Sequence, residues 1–566
     1  MMIRLCIFSI LVFHLGSIVG QEKPYSVVIN EILPDPSPIV ALPNCEFIEL
    51  RNCSNQQINL NKWRISNGSS VGVITTDYFL KPDSLVILSA KSNTVFFNVP
   101  SKTIGLSTFP SLGNESDVIT LMDRSGKTIH AVSYKKSWHD NFIKSEGGWS
   151  IEMIDPFKPC NPNNWQSSKA LTGGSPGKEN SIYNKETNDT EVKAMQCITT
   201  NGKTFTLKMN MPADSSSLAN PVNYNWDSTS IYSIKANPTP PLFNEVEIEF
   251  QHEISKEKIA KLNISNIKNC TSDKLENTSV LTGIPITPKK DELVINELLF
   301  NPVAYGSDFI EIYNLSNSAI NAKEIYIAAK NTGGNIGSMY RCSEDDMNLF
   351  PDEYLVITSD TSHIIKYWPR SKPSSLSEIR TMPSYPDEEG TVILFNKQGV
   401  IIDEFNYSAS MHYPLLIDKE GVSLERIDPK IPATLAENWH SASSTSGYAT
   451  PTKKNSQYKQ QSTGNEFITI AQQYFSPNND GSEDVLSITY QFSTPGNLIS
   501  IYIFSFNGLL VNKIVDNQLC GTSGTFIWNG LDQQKGKVKR GIYIIVAESF
   551  DLRGKPRKFK QAVAVE

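Results

Sequence analysis

Beyond its first twenty residues the chain has no run of eighteen or more apolar residues, so nothing later in it reads as a membrane-spanning helix. Basic residues are not in excess: 52 Lys and Arg stand against 59 Asp and Glu, a formal net charge of -7. A protein that displaces counterions from phosphates needs clustered Lys and Arg, so nucleic acid is not an expected partner. Histidine is sparse, and His14, His130, His139, His252, His363, His412 and His440 never fall at metal-ligand spacing. No C-x-x-C pair occurs either, which leaves no basis for a zinc ribbon or a thioredoxin-type site. Cysteine is scarce at 8 in 566 residues, too few for a disulfide scaffold. Cys6 lies in the opening apolar run; Cys197 and Cys270 bracket one stretch and could close it, while Cys45, Cys53 and Cys160 crowd an earlier one. Long amphipathic helical patterns are missing as well. Short β-branched and aromatic runs, broken by Pro, Gly, Asn and Asp every ten or so positions, predict an all-β chain of sandwiches.

What the chain does have is a long repeat. VVINEILPDPSPIVALPNCEFIELRNCSNQQINL begins at Val27, and LVINELLFNPVAYGSDFIEIYNLSNSAINA begins at Leu293. Agreement continues through SIEMIDP against SLERIDP and NNWQSS against ENWHSA. From Asn30 to Trp165 is 135 positions and from Asn296 to Trp439 is 143, a period that means duplicated domains rather than a solenoid. Alternation in FIEL and FIEI puts Ile48 with Leu50, and Ile310 with Ile312, on the core face. It sends Glu49 and Glu311 to the other face, and Glu31, Glu49, Glu297 and Glu311 are expected at solvated strand positions. Gly126 and Gly399 stand where hairpins need positive φ.

These motifs, with INLNKW in the first copy and the closing SPGKENS and TPTKKNS segments, resemble the lamin-tail domain, an immunoglobulin-like β-sandwich. The resemblance covers residues 24–183 and 291–457, and in the second copy the Trp63 position gives way to Ile325 and Tyr326. Residues 191–287, with MPADSSSLANPVNY and LNISNIKN, resemble an SbsA-type immunoglobulin-like domain. Residues 467–566, with SPNNDG, WNG and RGIYI, resemble a FlgD-type immunoglobulin-like domain and the C-terminal sorting domains of bacteria with type IX secretion. Within it Ile499, Ile501 and Ile503 alternate with Tyr502, Phe504 and Phe506, which predicts a central strand apolar on both faces. Residues 1–20 carry Arg4 ahead of an apolar stretch and read as a signal peptide. Polar linkers are expected over Ser181–Thr190, Ile284–Lys290 and Asn455–Asn465.

Little of this sequence offers chemistry. GGSPG at 173–177 fits the G-x-S-x-G esterase elbow around Ser175, but Pro176 has no N–H to give an oxyanion, so a domain-closing turn is the reading. GKT at Gly126 and Gly202 lacks the upstream glycine of a phosphate loop. Asn478, Asp480, Glu483 and Asp484 crowd oxygen ligands around Gly481 as a calcium loop does, without the acidic twelfth position of an EF-hand. No other metal or cofactor site is expected, and no catalytic residue. The resulting expectation is a non-enzymatic, modular protein of the cell surface or exterior. Its partners would be an extracellular protein or glycan and the secretion machinery. The alternative is an accessory binding protein of a surface hydrolase or nuclease system, or a cryptic hydrolase.

Overall fold

A computed structural model describes residues 22–139, 141–185, 191–226, 231–255, 258–270, 277–331, 333–459, 466–478, 482–554 and 556–566. The signal-peptide segment lies outside the described residues. The chain is all-β, a series of small sheets joined by short 3₁₀ and α turns. No helix among the described residues is long and apolar enough to cross a membrane. Contacts divide the chain into two compact units, one built on the first copy and the other on the second copy with the C-terminal sheets. The stretch between the copies is divided between the two units.

The first copy is a sandwich. One sheet runs Trp165–Ser167, Ile151–Met153, Val27–Leu33, Phe47–Asn52, Leu85–Ala90, Thr103–Leu106; the other runs Thr128–Lys135, Ser116–Met122, Arg64–Ser66, Val71–Val73. The second copy repeats this order strand for strand, with Trp439–Ser441, Leu424–Arg426, Leu293–Leu299, Phe309–Asn314, Tyr354–Thr358 and Leu376–Glu378 opposite Ile401–Ser408, Glu389–Asn396, Ile325–Ala329 and Tyr340–Arg341. Both cores form from the inward residues of the two facing sheets. Trp63 is fully buried in the first, and Ile325 takes its place in the second. Gly126 and Gly399 have φ of 88° and 75°, the left-handed values their hairpin turns require.

One irregularity is duplicated with the fold. Pairing of the first strand with its neighbour shifts register between Ile29 and Glu31, and between Ile295 and Glu297. Asn30 and Asn296 are therefore bulge residues, and a bulge redirects side chains and frees backbone N–H groups from the ladder.

Within the first unit Cys160 is joined to Cys270. This corrects the expected closure of Cys197 on Cys270: Cys197 is a buried free thiol, and the bridge uses a cysteine of the first copy. In the C-terminal region a five-stranded sheet faces a three-stranded one. There the Asn497–Ser505 strand is second from the edge, not central, and only Ile499, Ile501 and Ile503 are core. Tyr502 and Phe504 are half-buried on the outer face, and Phe506 is exposed in the turn beyond the strand.

Candidate functional site

The glutamates repeated in both copies are not solvated. Glu31, Glu49, Glu297 and Glu311 are each fully buried, and each copy adds a third, Glu152 and Glu425. The alternation of FIEL and FIEI is correct in direction, but the face opposite the core is covered by the closing segment of the same copy. The bulge contributes as well, because Asn30 turns into the carboxylate layer.

In the first copy the closing segment 173–182 lies across three carboxyls. Glu31 Oε1 accepts from Ser150 Oγ at 2.6 Å and from the Ser175 N–H at 2.8 Å. Glu49 accepts from Asn30 Nδ2 at 3.0 Å and from the Gly177 N–H at 2.5 Å. Glu152 accepts from Ser175 Oγ and Ser181 Oγ, both at 2.8 Å, and from the Ile182 N–H at 3.2 Å. Asn30 and Asn180 close the array through an amide-to-amide bond of 2.8 Å. Gly174 is required here, since a Cβ would stand 2.7 Å from Glu31 Oε1.

The second copy reproduces the array with different side chains. Glu297 accepts from Ser423 Oγ at 2.5 Å and the Thr450 N–H at 2.8 Å, and Glu311 from Asn296 Nδ2 at 2.8 Å and the Thr452 N–H at 2.5 Å. Glu425 accepts from Thr450 Oγ1, Ser456 Oγ and the Gln457 N–H, each at 2.8 Å. Asn296 donates to Asn455 Oδ1 at 2.7 Å. Ser175, the hydroxyl of the GGSPG motif, and Thr450 thus occupy one position, and their hydroxyls are spent on glutamate.

Burial raises the proton affinity of Glu31, Glu49, Glu297, Glu311 and Glu425. Burial pushes Glu49 up to about 7 and Glu297 up to about 8, with Glu425 beside Glu297 adding to the second shift. Glu31 and Glu311 are raised well above the usual carboxylate range, by burial first and by neighbouring carboxylates second. Those five carboxyls therefore hold protons at pH values where free glutamate is ionised. Every partner they have is a protein group of the same copy. Chemically the array is a clasp: it satisfies the backbone of a segment with no strand of its own and ties it down.

The clasps shorten two expected linkers. Ser181 and Ile182 belong to the first clasp, and residues 186–190 lie outside the described residues. In the second copy Asn455 and Gln457 are buried, and residues 460–465 lie outside the described residues. Gln457 also accepts from the Gly496 N–H at 3.2 Å, and Ser456 O accepts from the Thr522 N–H at 2.8 Å, so the second clasp continues into the C-terminal sheets.

Of the expected calcium loop, Asp480 lies outside the described residues, as does Gly481. Asn478 donates its N–H to Ser476 O, and Glu483 O accepts from the Ser476 N–H, a turn with Glu483 at φ 52°. No metal-holding group of His, Cys, Asp and Glu occurs among the described residues. Sequence reasoning missed Glu152, Glu425, Asn180 and Asn455. The signal available was the recurrence of [ST]-P-x-K-x-N-S in both closing segments.

No curated protein matches the sequence. Among solved structures, the N-terminal part of the bacterial S-layer protein SbsC is similar at 11% identity and a TM-score of 0.17, over 30% of this chain and 40% of that one. A tetra-tandem repeat from the extending region of a large adhesion protein is similar at 8% identity and a TM-score of 0.12, over 95% and 98% of the two chains. The glucan-utilization protein SGBP-B of Bacteroides ovatus, solved with a mixed-linkage heptasaccharide, is similar at 10% identity and a TM-score of 0.14, over 67% and 68%. TM-scores this low carry no argument about fold or function. The family comparison is specific to one region: residues 21–136, most of the first sandwich, match the Lamin Tail Domain.

Proposed function

We propose that this is a non-enzymatic, modular protein of the cell exterior, in which two lamin-tail domains are held as spacing and binding modules. The observation that carries the reading is the duplicated clasp. The second copy has the strand order, the bulge and all three glutamates of the copy that matches the family, so it is read as a second lamin-tail domain. In both copies the groups that could do acid–base work are buried and committed to holding a backbone segment. The Cys160–Cys270 bridge supports an oxidising compartment, because such bonds persist outside the cytosol. The C-terminal residues 467–566 are read as the element that addresses the chain outward through a type IX-like secretion machinery, on the resemblance of SPNNDG and RGIYI.

The test is placement together with turnover. Full-length protein with an internal epitope tag, expressed in a host with type IX secretion, should be cleaved by external protease on intact cells. The same chain ended after Lys459 should be protected. Equal placement of both forms would remove the addressing role, and hydrolysis of a phosphodiester or phosphomonoester by the purified chain would overturn the non-enzymatic reading.

A further inference from the structure

The second copy carries a longer excursion than the first on the edge of its smaller sheet. From Ile65 to its partner Gly72 is 7 positions, and from the equivalent Ile327 to its partner Tyr340 is 13. The extra residues form the excursion between the Ile325–Ala329 and Tyr340–Arg341 strands, which in the first copy is the short Asn67–Ser70 turn. Under this excursion lies an open groove of about 870 Å³, with Lys330, Asn331 and Gly334 on one side and Pro386, Glu388 and Glu389 on the other. That size is in the range of ligand sites.

The first copy shows what the groove would be if closed. There Asn67 Nδ2 donates to Ser111 O at 2.8 Å, and the strand at Gly72 is so close to the loop that a Cβ would lie 2.5 Å from Thr108 O. Asp117 seals the strand edge, accepting from the Val118 N–H at 2.8 Å and the Gly113 N–H at 3.2 Å. In the second copy Gly390 stands for Asp117, Thr391 for Val118 and Pro386 for Gly113. The sealing carboxylate is gone, and so is one of the N–H groups it served.

The exposed edge is backbone. Strand Ile325–Ala329 pairs with Glu389–Asn396 only as far as Ala329 opposite Val392. On the other side Glu388 O accepts from the Ala409 N–H, and hydrogen bonding alternates along an antiparallel strand. Glu389 and Thr391 therefore turn their backbone groups toward the groove, where no strand pairs with them. An unpaired edge in a groove is a template for strand addition. Charge narrows the occupant. Lys330 is neutralised by Glu404 at 2.5 Å, while Asp387, Glu388 and Glu389 stand exposed along the same wall.

We propose that this groove takes an extended peptide bearing lysine or arginine, which adds as a strand beside Glu389 and Thr391. Backbone hydrogen bonds fix its register, and the acidic wall selects its charge. The site goes beyond the spacing role proposed above and is confined to the second copy.

The test uses the full chain and a fluorescein-labelled octapeptide of alternating valine and lysine, followed by anisotropy. Saturable binding is expected. N-methylation of alternate amides on one edge of the peptide should weaken it at least tenfold, and replacing its lysines by glutamates should abolish it. Glu389→Lys, an exposed change that leaves the melting temperature unaltered, should also weaken it at least tenfold. Replacing residues 329–338 by the Asn67–Ser70 turn should remove it. Failure to saturate, equal binding of the N-methylated peptide, or equal binding by Glu389→Lys would overturn the proposal. Displacement of the peptide by a neutral hexose oligomer would overturn it in favour of a saccharide site.

Discussion

The two copies solve one problem at the bulge with different chemistry. In the first, the freed Ile29 N–H donates to His130 Nδ1 at 2.9 Å, and the other ring nitrogen reaches the Pro159 carbonyl. In the second, the Ile295 N–H donates to Asp403 Oδ2 at 2.9 Å, Arg426 Nη1 pairs with that oxygen at 2.7 Å, and Arg426 Nη2 reaches Ile431 O at 2.6 Å. One neutral imidazole spans the gap in one copy; an aspartate and an arginine span it in the other. Where the first copy has His130 and Met153, the second has Asp403 and Arg426. The clasp beside it did not diverge in this way. All six glutamates remain, because each answers backbone N–H groups whose positions are set by the fold, whereas the bulge asks only for an acceptor and a bridge to a carbonyl.

The largest effect should come from breaking the second solution halfway. Arg426 is 1% exposed, and Arg426→Met leaves Asp403 buried without its cation. Such losses run to roughly 3–5 kcal/mol, much of it the cost of the stranded charge. The double variant Arg426→Met, Asp403→His installs the first copy's pair and should recover most of the loss. Hydrogen exchange of the second-copy strands in the full chain measures both; a double variant no better than the single would mean that the two solutions are not interchangeable.

Next is the disulfide, which only the first copy has, since Ala433 stands where Cys160 does. Reduction should lower the stability of the first unit by about 2–4 kcal/mol. The second copy's exchange rates should not move. A reductant-induced change in both copies would break the asymmetry.

The clasps predict a pH dependence that the bulge modifies. Glu297 has a folded pKa of about 8, above its unfolded value, so its stabilisation is present below the unfolded pKa and is lost as pH rises through 8. His130 runs in the opposite sense: burial pushes it down to about 3, so its contribution is present above the unfolded value and is lost as pH falls toward 3. His412, pushed down to about 4, acts the same way in the second copy. Glu297→Gln mimics the protonated acid. It should leave second-copy stability at pH 5 nearly unchanged and reduce its fall between pH 5 and 8.5, read as melting temperature at each pH. At about 1.4 kcal/mol per pKa unit, the effect should amount to a few kcal/mol. An equal fall in the variant would place the titration elsewhere.

The duplication, the sandwich strands and the hairpin glycines were legible because each is a local pattern or a repeat of one. Glu49 was not. Period-2 alternation states that it faces away from Leu50 but not what lies over that face, and the cover arrives 128 residues later at Gly177. For Glu31 the partner Ser175 is 144 positions on. The disulfide escaped for the same reason: Cys160 and Cys270 are separated by 110 positions, and spacing alone favoured the nearer Cys197. The excursion over the groove of the second copy was present in the sequence as six extra positions between Ile327 and Tyr340, whose location only the strand pairing reveals.

The smallest effect concerns the backbone of the clasp itself. Gly173 and Gly177 have φ of 88° and 77°, and their counterparts Tyr448 and Thr452 keep φ of 65° and 64° although neither is glycine. A β-branched residue in the left-handed region is strained, so the second copy tolerates at Thr452 what the first avoids at Gly177. Thr452 has a compensation, because its Oγ1 accepts from the Lys372 N–H at 2.7 Å. At Gly177 a new Cβ would instead lie 3.0 Å from Val99 Cγ2. Gly177→Thr should therefore cost the first copy roughly 1–2 kcal/mol. Thr452→Gly should be close to neutral, since the strain it relieves is offset by the lost hydroxyl contact and by the freer unfolded chain. Thermal melts of the two variants decide it. If Gly177→Thr costs nothing, the clasp backbone is equally adaptable in both copies, and the glycines of the first are not needed for its turn.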